Sequence, residues 1–200
     1  MRQKPILLSA LLVLATLLLY GPVTHHEFVW DDSAYVTKNI HVSTGLNLGN
    51  VVGAFTSFHQ GNWHPLTWIS HMADCQLFGL SSGPHHLVNV VLHAVNVLLL
   101  FWLLQRATGA VWRSFLVAAL FAAHPLNVET VAWVAQRKSL LSAFFLTHDC
   151  CLWLVRSAAR LEEIPGRRRR LFAGADVQAH GNEPPACLAA SRLARFRWPA

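Results

Sequence analysis

Two apolar runs constrain this chain more than any other feature. Ile6 to Tyr20 is unbroken, with no charge between Lys4 and Glu27, and Leu87 to Leu104 is interrupted only by Asn89, His93 and Asn96. A membrane-crossing helix needs about 17–25 mostly apolar residues. In hydrocarbon every backbone donor and acceptor must be paired within the segment, which a helix achieves. Shorter apolar stretches follow, so the sequence predicts an all-α membrane protein with apolar segments near residues 5–23, 87–104, 112–123 and 139–146. The first run follows Arg2 and Lys4, as a secretory signal would. No small-x-small site precedes Pro22, however, and the run reads as an uncleaved anchor.

Between these segments lie two polar stretches, residues 24–86 and 124–138. Arg2 and Lys4 at the start, and Arg106 and Arg113 at the second turn, predict a cytoplasmic N-terminus with both stretches on the far side. That arrangement is expected of a multi-pass protein of an inner (cytoplasmic) membrane. Arg137 and Lys138 then stand on the side where basic residues are scarce. Holding a phosphate would explain them; interfacial snorkelling would too.

Composition has a seam. Residues 1–155 hold seven Lys+Arg against six Asp+Glu, whereas residues 156–200 hold nine Arg against four acids. The basic excess is therefore local to the tail, and no basic face for nucleic acid is expected. The cysteines, Cys75, Cys150, Cys151 and Cys187, show neither CxxC nor finger spacing, so no disulfide framework and no protein-held metal site is read from them.

The chemistry concentrates in the polar stretches. Asp31 and Asp32 follow Trp30 just beyond the first span. A carboxylate there can take a proton from an incoming hydroxyl or hold a divalent cation, or simply cap a turn. Phe28, Trp30 and Tyr35 supply aromatic faces suited to sugar rings or a lipid chain. His64 and His71 are seven apart, His85 and His86 adjacent, and no HExxH arrangement accompanies them. Glu129, Trp133 and Arg137 would share a face of one continuous helix, giving either a structural ion pair or an acid and an anion holder in one cavity. Asn89, His93 and Asn96 also fall on one helical face, where hydrogen bonding to neighbouring helices is the simplest expectation.

The segments FVWDDSAYVTKN, NWHPLTWISHMADCQLFGL, HHLVNVVLHAVN and HPLNVETVAWVAQRKSLLSAFF resemble bacterial multi-spanning proteins related to the transmembrane and tetratricopeptide-repeat O-mannosyltransferases. These fall in the GT-C class of glycosyltransferases. The resemblance covers residues 1 to about 146. It implies the N-terminal part of a GT-C-like helical bundle and transfer of a sugar from a polyprenyl-phosphate donor to a protein or glycan hydroxyl. It further implies an acidic motif at Asp31-Asp32 and a donor-phosphate contact from Arg137 and Lys138; with the residues read above, the expected catalytic groups are Asp31, Asp32 and Glu129, and the expected substrate contacts are Trp30, His64, His85, His86, Arg137 and Lys138. A divalent cation is an open expectation. The alternative is a non-catalytic membrane-anchored binding or scaffold module.

The resemblance stops near Leu146. Codons for Gly174–Pro185, read one nucleotide later, permit the string LMSKPMVTNLP, and those for Cys187–Arg195 permit AWLLLDWP; similar phrases occur in the resembled proteins. Residues 147–200 are therefore expected to be an out-of-frame translation, or else a disordered basic tail. On the first expectation this chain is an inactive fragment.

Overall fold

The computed structural model describes residues 3–59 and 61–162, with side-chain surroundings between residues 4 and 157. All regular elements in the described residues are helical. Helix α1 spans Gln3–Tyr20 and continues into a tight 3-10 turn at Gly21–His25. A π turn at Ser33–Thr37 and three short helices follow: α2 (Ile40–Ser43), α3 (Leu48–Thr56) and α4 (Pro65–Phe78). Next are α5 (Ser82–Thr108), α6 (Val111–Ala122), α7 (Leu126–Ala132), a 3-10 turn at Val134–Gln136, and α8 (Arg137–Glu162).

Three segments are long and apolar enough to cross a membrane: Lys4–His25, Ser82–Thr108 and Val134–Ser157. The third expected segment is different. Helix α6 has 12 residues, about 18 Å at 1.5 Å per residue, too short to cross a ~30 Å hydrocarbon layer alone. It bends by 63° into α7 across the His124-Pro125 break, so the pair makes a fourth crossing only if counted together. The fourth segment is longer than its apolar core suggested, because α8 passes Leu146 and runs on to Glu162. The expectation of an out-of-frame or disordered tail otherwise falls on residues 163–200, outside the described residues.

Helix α5 is the central post. Its Val97 and Phe101 pack with Leu8 and Leu12 of α1 and with Ala118 and Ala122 of α6; small residues let neighbouring backbones approach closely. About two turns nearer the polar stretches, Val90 packs with Tyr20, Val23, Val131 and Leu140. A third core, of Tyr35, Val36, Val42, Trp68, Met72, Val134 and Ala135 among others, fixes the loop helices against the turn before α8.

The break between α6 and α8 leaves backbone carbonyls facing α5, which supplies donors to them and to one carbonyl of α8. Asn89 Nδ2 donates to the Val131 and Trp133 carbonyls at 3.3 and 3.2 Å. His93 Nε2 lies 3.2 Å from the Ala122 carbonyl, which also accepts from the Tyr20 hydroxyl at 3.1 Å. Asn96 Nδ2 donates to the Leu140 carbonyl at 3.0 Å. The polar stripe on α5 is thus interhelical glue, as expected, donating to backbone carbonyls at the helix break and on α8.

Candidate functional site

The two adjacent aspartates do different work. Asp32 is fully buried. Its Oδ2 accepts from the Val29 backbone N–H at 3.1 Å and its Oδ1 from the Ala135 N–H at 2.7 Å. It therefore ties the loop after α1 to the turn before α8, 103 residues away. Burial raises its pKa, and these backbone donors oppose the rise. Asp31 is exposed. Between them and the membrane, Trp30 adopts φ 47°, the described non-glycine residue with positive φ. A bulky side chain in that region is uncommon and strained. The conformation stands the 78% exposed Trp30 ring edge-on to Trp133, centroids 5.3 Å apart.

That aromatic pair walls a groove of about 830 Å³, whose polar lining is His26, Glu27, His86 and Glu129. His86 is 1% exposed, and neither ring nitrogen has a hydrogen-bond partner. Trp30, His86 and Glu129 are thus brought together. A second groove, of about 800 Å³, runs along the start of α8. His64 and Lys138 supply polarity, and Phe55, Trp63, Leu66 and Phe145 contribute an apolar wall. Lys138 Nζ stands 5.8 Å from the Tyr35 ring centroid. Partial burial and the Lys138 charge both lower the His64 pKa, favouring neutral imidazole.

Arg137 does not share a helical face with Glu129, because α7 ends at Ala132 and Trp133 is extended. Nor does it reach a groove. It is 0% exposed and spends its donors inside the protein. Nε bonds Asn89 Oδ1 at 2.8 Å, Nη2 bonds the His85 carbonyl at 2.8 Å, and Nη1 bonds Ser70 Oγ at 3.2 Å and the Asp74 carboxylate. Four of its five N–H donors are thus committed inside the protein and it lines neither groove, an arrangement suited to a structural role. His85 is buried in the same cluster, its Nε2 3.1 Å from the Gly79 carbonyl.

Sequence reading missed Asp74 and His71 as members of this cluster. The available signal was the i, i+3 spacing of the two on α4, which puts both on one helical face. The partner of Asp74 is 63 residues away and had no local signal.

Helices and grooves together define a multi-pass, all-α membrane chain whose loop residues, with α7 and the start of α8, build polar, aromatic clefts. Its similarity to curated proteins narrows that class. The chain is 30% identical over 146 residues to Protein O-mannosyl-transferase TMTC1 of Mus musculus, covering 67% of this chain and 15% of the relative. It is 33% identical over 132 residues to Protein O-mannosyl-transferase Tmtc2 of Drosophila melanogaster (60% and 14%), and 33% identical over 125 residues to TMTC3 of Mus musculus (59% and 14%). The chain thus spans about 15% of the length of the curated relatives it matches. No family model matches, and no solved structure matches. The relationship to protein O-mannosyl-transferases rests on these alignments, which cover most of the described helices.

Proposed function

We propose that this chain is the front part of a GT-C-type glycosyltransferase that moves a sugar from a polyprenyl-phosphate donor to a protein or glycan hydroxyl. The observation that carries the reading is the groove at Lys138, where one cation and a half-buried histidine stand at the edge of an apolar wall along the start of α8. A phosphate on a lipid chain has that same profile. The names of the relatives support sugar transfer in general.

In this reading Lys138 neutralises the donor phosphate, with His64 beside it. Trp30 and Trp133 offer flat faces to a sugar, and His86 and Glu129 hydrogen-bond its hydroxyls. Exposed Asp31 takes the proton from the acceptor hydroxyl, or holds a divalent cation, while Asp32 keeps Asp31 in place. The acceptor oxygen bonds to the anomeric carbon, the bond from that carbon to the phosphate oxygen breaks, and polyprenyl phosphate leaves. The N-terminus lies in the cytoplasm and both grooves on the far side of the inner membrane. Further spans complete the bundle, and residues from about 147 onward are out of frame, so this chain alone does not turn over. Sequencing the DNA beyond the Leu146 codon tests that last point: a stop codon within a few residues in the shifted frame would refute it.

The donor site is testable on the chain itself. Purified chain in detergent should bind polyprenyl phosphate, and Lys138→Gln should weaken binding about 10–100-fold, the value of one charge-assisted contact. Equal binding by both would remove Lys138 from the site.

A further inference from the structure

Helices α4 and α5 meet at a cluster that none of the roles above uses. His71, Asp74 and His85 each present one ligand atom, and the three atoms lie within 4.8 Å of one another. All three side chains are buried, the two histidines at 0% exposure. We propose that this cluster binds one divalent first-row transition metal, Zn²⁺ in the first instance, as a structural ion joining the loop helices to the membrane post α5.

The hydrogen bonds fix the chemistry. His85 Nε2 faces the Gly79 carbonyl at 3.1 Å. A carbonyl only accepts, so Nε2 carries the proton and Nδ1 presents a lone pair. That lone pair lies 3.5 Å from Asp74 Oδ2, with no hydrogen-bond partner of its own. Two acceptors facing each other in a buried space repel unless a cation lies between them. His71 adds a further lone pair, and neither of its ring nitrogens has a partner. A buried polar group without a partner costs about 1–3 kcal/mol. Metal ligation would use one nitrogen from each histidine.

The other groups in the cluster suit a ligand set. A metal-bound histidine usually donates its second nitrogen to a carbonyl or carboxylate, and a metal-bound carboxylate is itself hydrogen-bonded. Gly79 supplies the first contact and Arg137 the second. Within the cluster Asp74 is paired with the single guanidinium of Arg137, so an ion would be held by that carboxylate together with one lone pair from each imidazole. Zn²⁺–N and Zn²⁺–O bonds near 2.0–2.2 Å place tetrahedral ligand atoms about 3.3 Å apart. The His71 ring, held by no hydrogen bond, is free to close that gap. None of the three residues lines either groove, so the ion is structural rather than catalytic.

The test measures Zn²⁺ and Co²⁺ binding to the purified full chain in detergent, by metal analysis after dialysis and by visible absorption of the Co²⁺ form. One equivalent is expected, with nitrogen-ligated Co²⁺ bands. His71→Leu removes a ligand without removing a hydrogen bond, so it should fold, with an unchanged helical circular dichroism spectrum. It should bind either ion at least about 100-fold more weakly, beyond the 10–100-fold cost of losing an outer partner. His25→Gln, at an exposed position on another element, should bind as the parent does. A parent chain that takes up no metal, or a His71→Leu variant that binds as tightly as the parent, would overturn the proposal. Arg137 would then be the cluster's only cation besides protons.

Discussion

Arg137 and Lys138 are neighbours in sequence with opposite fates, and the difference is measurable. Arg137→Gln leaves Asp74 without its counter-charge and Asn89 Oδ1 without its donor. Breaking a buried pair from one side costs about 3–5 kcal/mol. Lys138→Gln gives up at most a cation–π contact with Tyr35, below about 1 kcal/mol. Denaturant titration in detergent should separate the two variants, and similar losses would contradict the assignment. The aspartate pair splits likewise. Asp32→Ala orphans the Val29 and Ala135 N–H groups and should cost about 3 kcal/mol, while Asp31→Asn, at an exposed position, should stay within about 0.5 kcal/mol. Cys75 offers a check through pH. Burial, with help from Asp74, pushes its thiol up to about 11. At pH 8 only about one molecule in a thousand is then thiolate. A chain retaining only Cys75 should resist iodoacetamide at pH 8, whereas one whose single cysteine replaces exposed Thr44 should be alkylated readily. Equal rates would mean that Cys75 is not packed as described.

Among the elements, the polar stripe on α5 ranks its own members. Asn96→Leu loses one bond to a carbonyl of α8, about 0.6–1.7 kcal/mol for interhelical bonds in membranes. Asn89→Leu loses two carbonyl partners at the end of α7 and the acceptor for Arg137 Nε. It should be the costlier by a further ~2 kcal/mol or more, since a charged donor is stranded in the core. Comparable midpoints for the two variants would show that the stripe is not matched to the helix break. This is also where sequence legibility divides. Hydropathy marked α1 and α5 because the bilayer imposes a length and composition any reader can count. The spacing of Asn89, His93 and Asn96 revealed a shared face because helical period is local. The break at His124-Pro125, which ends α6, has its signal in the proline; the break that separates Glu129 from Arg137 comes at Trp133, and no glycine or proline marks it. The partition of Asp31 and Asp32 and the Asp74–Arg137 pair had no such signal. Both depend on contacts spanning 63 to 103 residues, which only tertiary packing decides.

For the molecule as a whole, the exposed apolar surface argues for a bilayer around the helices. Ile6, Leu7 and Leu18 on α1 are each about 70% exposed, and Trp112, Leu116 and Leu120 of α6 are open too. A soluble protein rarely leaves so large a continuous apolar surface uncovered. If α1 and α5 each cross once, the turn at residues 106–113 returns to the side of the N-terminus, and the loop helices between them lie opposite. Thr44 sits in that loop and Thr108 at the turn, both exposed and both away from the grooves. In a cysteine-free background, Thr44→Cys in intact cells should react with a membrane-impermeant maleimide, provided that the outer membrane is made permeable. Thr108→Cys should react only after the inner membrane is opened. The reverse pattern would place both grooves in the cytoplasm and sink the proposed topology. Labelling of both sites in intact cells would mean that α5 does not cross, and the lipid-facing role of α1 would fall with it.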